Sequence, residues 1–495
     1  SVTSGITADT GSAQGNGGGG LGCCFRTRGR SSASPRDGGE LAAMALEREE
    51  AQTRSRADLT ATRARLRRLI SDMERRGPKP VPALREVREA GRPRTTLEVF
   101  PDAVRRETSE GVCTYREVRY PLAFEVGEVP LAALTQVNGG LLDLLAPREE
   151  LDEATLGDLW FLDIETTGLG GAGTLVFLVA TARIESDEAG SAVVLRQYLA
   201  ESPPEEAALL EALIEDGRFA EDPVLVTYNG RSFDAPMLDE RATMHRRRAG
   251  LQGLRHLDLL HPTRLAFRGL LPSCRLGMVE SEVLRMQRPS EDIPGAEVPA
   301  WYFRFLRVGD ARMLRPIVEH NELDVVGMTG LLAWLAVGVQ AQAPPSNDRA
   351  ARDALAVGRL LSARGRASEA VRHLERSIRL GSSEQRGDAV VLEQGLLLLA
   401  AIHKRDEQRE QAAALWHRTL ELPARAPLRP LLELAMYYEH QRREFDLAIE
   451  LAERARYHIE RWLHPRDPVR GGRALMEIEH RLSRLHSRAE RARNG

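Results

Sequence analysis

Apolar and polar positions change rhythm several times along the chain, and each change marks an element. Between Ala45 and Arg76, helix-forming residues carry Leu59, Leu66 and Met73 at seven-residue intervals, with Leu69 and Ile70 between them. That spacing predicts one amphipathic helix, which GPKPVP (77–82) ends. The stretch 94–135 is richer in β-branched residues and turns, and TYREVRYPLAFEV (114–126) partly alternates, predicting a hairpin. Apolar runs LWFLDIE (159–165), TLVFLVATARI (174–184) and AVVLRQYLA (192–200) predict three strands, PPEEAALLEALIEDG (203–217) a helix, and PVLVTYN (223–229) a fourth strand. Helices follow, beginning at Pro236, a favourable first helical position.

After QAQAPPSND (340–348) the pattern is helical alone. The segments 354–380, 392–422 and 431–460 superpose so that Gly358 and Ala400 fall twelve residues before Ala370 and Ala412. Ser377, Thr419 and Ala455 fall seven after Ala370, Ala412 and Ala448, while Met436 interrupts the third unit. Small residues at such points let paired helices approach closely, as a helix-hairpin solenoid requires. The array resembles tetratricopeptide repeats with unequal spacing.

These shifts set the expected boundaries. Residues 1–43, rich in Gly, Ser and Thr, are expected to be disordered, and Met44 suggests that they precede a native start. Residues 44–92 form the helix and a linker, 93–157 a small β-containing segment, 158–339 an α/β domain, 340–349 a linker, 350–463 the repeats, and 464–495 a basic C-terminal helix.

Composition narrows the picture. The chain has 495 residues, 42% hydrophobic and 28% charged, enough apolar material for several cores. A formal charge of −3 excludes a globally basic nucleic-acid binder, so any such binding is local. Lys79 and Lys404 are the only lysines, so arginine carries nearly all the positive charge. The four cysteines lack zinc-ligand spacing and the density of a disulfide scaffold, which fits a reducing compartment. With no apolar run of membrane-spanning length and no secretory signal pattern, a cytoplasmic protein without a membrane partner is expected.

The chemistry concentrates in three segments. In FLDIETTGL (161–169) an apolar strand carries Asp163 and Glu165 two residues apart, hence on one face. Two carboxylates there repel and desolvate badly unless a cation lies between them. In TYNGRSFDAPML (227–238) Asp234 stands at a helix start, where a simple N-cap is the plainer reading. In IVEHNELDVVGMTGLLAWL (317–335), His320 and Asp324 are i and i+4 on one helix face.

Together these segments resemble the DEDD exonucleases, which are built on a ribonuclease H-like fold. Asp163 and Glu165 match the first motif, Asn229, Phe233 and Asp234 the second, and Asp324 the third. With HLDLLHPTR (256–264), DIPGAEVPAWY (292–302) and HNELDVV (320–326), the chain is more closely similar to the YprB-type ribonuclease H-like family, which joins this domain to tetratricopeptide repeats. The third motif departs from both branches of the superfamily: it has a histidine four residues before the aspartate, where one branch has tyrosine and the other has histidine five before.

The resemblance implies a mixed five-stranded α/β sheet flanked by helices, followed by an all-α repeat domain. It also implies a two-ion mechanism with Mg²⁺ or Mn²⁺ held by Asp163, Glu165, Asp234 and Asp324, a hard oxygen set unsuited to zinc. His320 is the expected base, and Thr166, Thr167, Leu169 and Asn229 the expected substrate contacts. Arg264, Arg268 and Arg275 are further phosphate-binding candidates, while Trp301, Tyr302, Phe303 and Phe305 read as core. The expected function is a metal-dependent 3′→5′ exonuclease acting on DNA or RNA, with repeats docking a partner or substrate. The alternative is a non-catalytic nucleic-acid-binding adaptor that recruits protein through its repeats.

Overall fold

The computed structural model describes residues 92–494, apart from 169–172, 189, 290–291, 341–348, 383–387 and 423–427. The expected disordered segment, the amphipathic helix at 45–76 and Leu169 lie outside the described residues.

The centre is a mixed sheet. Its strands are β1 (Ala103–Thr108), β2 (Gly111–Pro121), β3 (Leu159–Thr166), β4 (Val176–Asp187), β5 (Gly190–Leu199), β6 (Val224–Thr227) and β7 (Arg255–Asp258), in the order β1-β2-β5-β4-β3-β6-β7. Pairing is antiparallel from β1 to β3 across the sheet and parallel for β3–β6 and β6–β7. The sheet has seven strands rather than the expected five, because the hairpin of β1 and β2 is built into it: Thr114–Pro121 pairs along Ala192–Leu199. Alternation reveals a strand but not its neighbour, which backbone pairing across about eighty residues decides.

Helices cover both sides: α1 (Gly139–Leu145), α2 (Glu206–Asp216), α3 (Asp234–Met244), α4 (Leu260–Phe267), α5 (Val298–Val308) and α6 (Arg315–Gln340). A short helical segment, 276–284, lies between α4 and α5. Along β3, Leu159 and Phe161 share the face of Asp163 and Glu165. They pack in one core with Ala180, Ala182, Val193 and Leu195 of the sheet and Val325, Met328 and Leu332 of α6. The apolar half of this strand face therefore docks α6, and its acidic half meets the polar N-terminal half of the same helix. By length and composition the stretch 311–340 could cross a membrane, but 72% of its apolar window is buried inside this fold.

Two ion-paired contacts hold the site's scaffolding. Glu322 of α6 accepts from Arg116 and from the Tyr120 hydroxyl, both on β2, so the added hairpin fixes the helix that carries the third motif. Glu206 of α2 is fully buried and takes a bidentate pair from Arg241 of α3, a contact with His245 at 2.8 Å and the Val176 N–H at 2.8 Å. Tyr302 stacks on Phe177 at 3.8 Å between ring centroids, and its hydroxyl donates to the Ala200 carbonyl. Trp301, Tyr302 and Phe305 are therefore core, while Phe303 is exposed.

Helices alone follow: α7 (Ala350–Ala363), α8 (Ala367–Gly381), α9 (Ala389–Arg405), α10 (Arg409–Leu420), α11 (Leu428–Tyr437), α12 (Phe445–His458) and α13 (Pro468–Asn494). The close approaches predicted from small residues are present. A Cβ on Gly358 would stand 2.9 Å from Leu374, and Ala370, Ser377, Ala400, Ala412, Thr419, Ala448 and Ala455 are buried. α7, α8 and part of α9 share one continuous apolar core with the sheet and α6. The basic α13 is anchored through Arg481, Arg484 and Arg488, which converge on the buried Glu439 at 2.9–3.1 Å.

Candidate active site

Four carboxylates arrive from three elements. Asp163 and Glu165 come from β3, Asp234 from the first turn of α3, and Asp324 from α6. Each location has a local cause. β3 is apolar on both faces until its last residues, and its pairing with β4 shifts register between Glu165 and Thr166, just where the acids stand. α3 begins where β6 ends in a tight turn: Asn229 is left-handed (φ 75°), and a Cβ on Gly230 would stand 2.5 Å from the Asp234 carboxylate and 2.6 Å from Thr227. Glycine at 230 is thus what lets the Asp234 side chain fold back toward the sheet.

Asp258, at the end of β7, fixes this turn. It accepts the backbone N–H of Asn229 at 2.8 Å, of Arg231 at 3.4 Å and of Leu260 at 3.0 Å. The neighbouring His256 is buried on the Thr227 hydroxyl at 2.8 Å. Burial, then the Arg231 charge, pull its pKa from 6.5 down to about 4. A histidine depressed in this way contributes stability above pH 6.5 that is lost as pH falls toward 4, where the unfolded chain is protonated and the folded one is not. His256→Gln is expected to remove this loss, worth about 3 kcal/mol, from urea-unfolding curves taken between pH 7 and pH 4. Equal acid sensitivity of variant and wild type would refute it.

Burial is the first cause raising the proton affinity of Asp163, Glu165 and Asp234. Asp163 lies well above the ordinary range through burial and the charges of Asp324, Asp234 and Glu165, opposed by a hydrogen bond from Asn321. Glu165 is raised by burial, Asp324 and Asp234. Asp234 is pushed up to about 7 by burial, Asp258 and Asp324. Carboxylates from distant parts of the chain therefore share one field with too little positive charge in it.

The positive charge present comes from Arg288, a residue that no motif singled out. Its guanidinium donates to the fully buried Glu280 at 2.6 and 2.8 Å, to Asp292 at 3.3 Å, and to Asp324. Glu280 is pushed up to about 7 by burial, opposed by Arg288. α6 makes room for Glu280 at Gly327, where a Cβ would stand 2.1 Å from its Oε1.

His320 lies within the cluster, with Nε2 4.0 Å from Glu165 Oε1 and 3.7 Å from Asp324 Oδ2. Its Nδ1 lies between Asp292 at 2.8 Å and Arg288 Nη1 at 3.2 Å, which holds the ring with Nε2 facing the carboxylates. Behind the cluster the buried Asn321 donates to Asp163 at 2.8 Å and is itself held by Gln197 at 3.1 Å. Asp292, Asn321 and Gln197 were also missed. Asn321 had a legible signal, a polar residue three before Asp324 on the same helix face.

The expected substrate contacts are distributed around this cluster. The Thr166 hydroxyl donates to the Gly168 carbonyl at 2.6 Å, and Thr167 accepts the Leu175 N–H at 2.9 Å, so both close the turn between β3 and β4. Asn229 lines an adjoining groove.

The donor set suits hard divalent cations: four carboxylates, no thiolate, and mutual repulsion that a cation relieves. Among the described residues, no three His, Cys, Asp or Glu side chains converge closely enough to hold an ion as they stand, and Asp324 is engaged by Arg288. To hold a cation with the other carboxylates, Asp324 would have to turn away from Arg288.

Residues 160–336 match the model of the RNase_H superfamily. The chain is 30% identical over 351 residues to the uncharacterized protein YprB of Bacillus subtilis (strain 168), a match covering 69% of this chain and 80% of that protein.

Proposed function

Since the chain belongs to the YprB family, within the RNase_H superfamily, we propose that it is a metal-dependent 3′→5′ exonuclease hydrolysing phosphodiester bonds of DNA or RNA. The fold is nuclease-like, and nucleases of this superfamily use divalent metals and bind nucleic acid. The observation that carries the reading is the single buried field shared by Asp163, Glu165, Asp234 and Asp324. A scaffold with no cation to hold gains nothing from this repulsion.

In this reading Asp163, Glu165, Asp234 and Asp324 hold two ions, Mg²⁺ or Mn²⁺. When bound, the ions would activate water and stabilise charge on the scissile phosphate and the leaving oxygen. The chain supplies the rest. His320 Nε2 accepts a proton from the attacking water, and Asp292 and Arg288 hold the ring in place through Nδ1. Asn321 and Gln197 hold Asp163 in place. Thr166, Thr167 and Asn229 belong to the wall that meets the terminal nucleotide. The helical array, read as tetratricopeptide-like repeats, docks a protein partner or guides substrate.

The test is incubation with 5′-labelled single-stranded DNA and RNA, and with circular single strands, in Mn²⁺ or Mg²⁺, beside an Asp163→Ala/Asp324→Ala control. A metal-dependent ladder shortening from the 3′ end, absent in the control, is expected. Cleavage of circles would convert the reading to an endonuclease. Binding without cleavage of any substrate would overturn it in favour of the adaptor.

A further inference from the structure

A groove of about 720 Å³ opens beside the second motif, beginning at Tyr228 and Asn229. Its rim carries Arg264, Arg268 and Arg275, all exposed, and no acidic side chain lines it. Among the described residues none of these three guanidiniums is in an ion pair, whereas most other arginines of this domain are held by a carboxylate. Arg359 of α7 stands behind the same wall: it donates to the Arg268 carbonyl at 2.9 Å, and its Nη1 is buried without a hydrogen-bond partner. Four positive charges are thus gathered, without compensating acids, on a protein whose net charge is −3.

The wall is built rather than loose. The Tyr228 hydroxyl donates to the Cys274 carbonyl at 2.6 Å, tying the 268–275 turn to the strand end that leads into the second motif. Both Leu270 and Leu271 return their N–H to the Phe267 carbonyl, and Gly269 takes the left-handed conformation (φ 76°) the turn needs. Between the arginines the groove offers Leu260, Leu271 and Pro272. Guanidiniums alternating with apolar surface complement a chain in which phosphodiesters alternate with sugars and bases.

The geometry points to this groove as the track for the phosphodiester backbone of the nucleic-acid strand whose scissile linkage reaches the carboxylates. The inference rests on the nuclease reading. The helical region then contributes to substrate binding directly, through Arg359 supporting the groove wall, in addition to any partner docking.

The experiment separates the two readings. Binding of a fluorescein-labelled single-stranded oligonucleotide to the full-length, metal-free chain is followed by anisotropy from 50 to 300 mM salt. The chains compared are wild type, Arg264→Ala/Arg268→Ala/Arg275→Ala, the corresponding triple lysine variant, and a charge-matched control, Arg307→Ala/Arg372→Ala/Arg379→Ala. The groove variant is expected to bind at least about tenfold more weakly at low salt. Its log–log salt slope should be shallower by about 2, roughly 0.7 per lost phosphate contact. The lysine variant should keep the slope and the control should match wild type. Melting temperature checks that the fold is retained. Hydrolysis of a small ester, thymidine 5′-(4-nitrophenyl phosphate), is measured in parallel with Mn²⁺. Retained ester hydrolysis with weakened oligonucleotide binding supports the track. Equal weakening in groove and control variants overturns it, as does full competition by millimolar inorganic phosphate or mononucleotide, which would make the groove a small-anion site. Absence of ester and oligonucleotide hydrolysis in wild type would instead defeat the nuclease reading.

Discussion

Asp163→Asn is expected to lower metal-dependent phosphodiester cleavage by about 10³-fold or more, because loss of a ligand carboxylate forfeits several kcal/mol of charge stabilisation. The same substitution is expected to raise the melting temperature of the metal-free protein, by about 2–5 °C. Asp163 is buried and repelled by Asp324, Asp234 and Glu165, and an asparagine oxygen still accepts the Asn321 hydrogen bond. The sign follows from linkage. A carboxyl whose folded pKa lies above its unfolded value costs stability once pH rises through the interval between the two. For Asp163 that interval opens at 3.8 and extends well above it. Metal-free wild type should therefore lose stability across this window more steeply than the variant, and Mn²⁺ should stabilise wild type but not Asp163→Asn. Scanning fluorimetry with and without Mn²⁺, at pH 5, 6, 7 and 8, reads all of this. A variant that melts lower and still responds to Mn²⁺ would show that Asp163 is neither repelled nor a ligand.

The second large effect belongs to Arg288. Arg288→Met leaves Glu280, which is completely buried, without its two hydrogen bonds, and removes the cation from Asp324. Breaking a buried pair by deleting one partner costs about 3–5 kcal/mol, because the remaining charge has no compensation. The loss should shrink as pH falls from 7 toward 4.5, where Glu280 can take a proton at little cost. Adding Glu280→Gln should restore much of the stability, since the amide fits the space left by Gly327 and carries no charge. Urea unfolding of the two single variants and the double variant measures the coupling. Independent, additive losses would mean that Arg288 and Glu280 do not form the pair that supports Asp324.

Much of the candidate site was legible because its logic is local. Period-two geometry placed Asp163 and Glu165 on one strand face, and the i, i+4 relation placed His320 beside Asp324. Asp234 was different. Taken alone it read as a helix cap, and its membership depended on likeness to known motifs rather than on any spacing. The structure then supplied the physical reason: Gly230 and the left-handed Asn229 turn the chain so that the carboxylate faces the sheet.

Arg288, Glu280 and Asp292 lie close in the chain and pair with one another, but their place at the site, like that of Gln197, depends on residues far along the chain. Arg288 and Asp324 are 36 residues apart, and Gln197 and Asn321 are 124. Only packing brings them together. The hairpin at 94–135 is similar: partial alternation at 114–126 pointed to it, but its β1 strand and the two positions it takes in the sheet depend on pairing with β2 and β5, and its hold on α6 is made through Glu322.

By itself the sequence determined what depends on periodicity and composition: the strands, the helices, the small-residue seams of the helical array, and two of the three acidic motifs. Tertiary structure alone decided the number of strands in the sheet, the continuity of the apolar core from the sheet into the first helices of the array, the cation that holds Asp324, and the gathering of unpaired arginines beside Asn229. The division has one physical cause. Hydrophobic patterning and backbone conformation act over a few residues, whereas burial and charge pairing act over a few ångströms, and folding alone brings distant residues within that range.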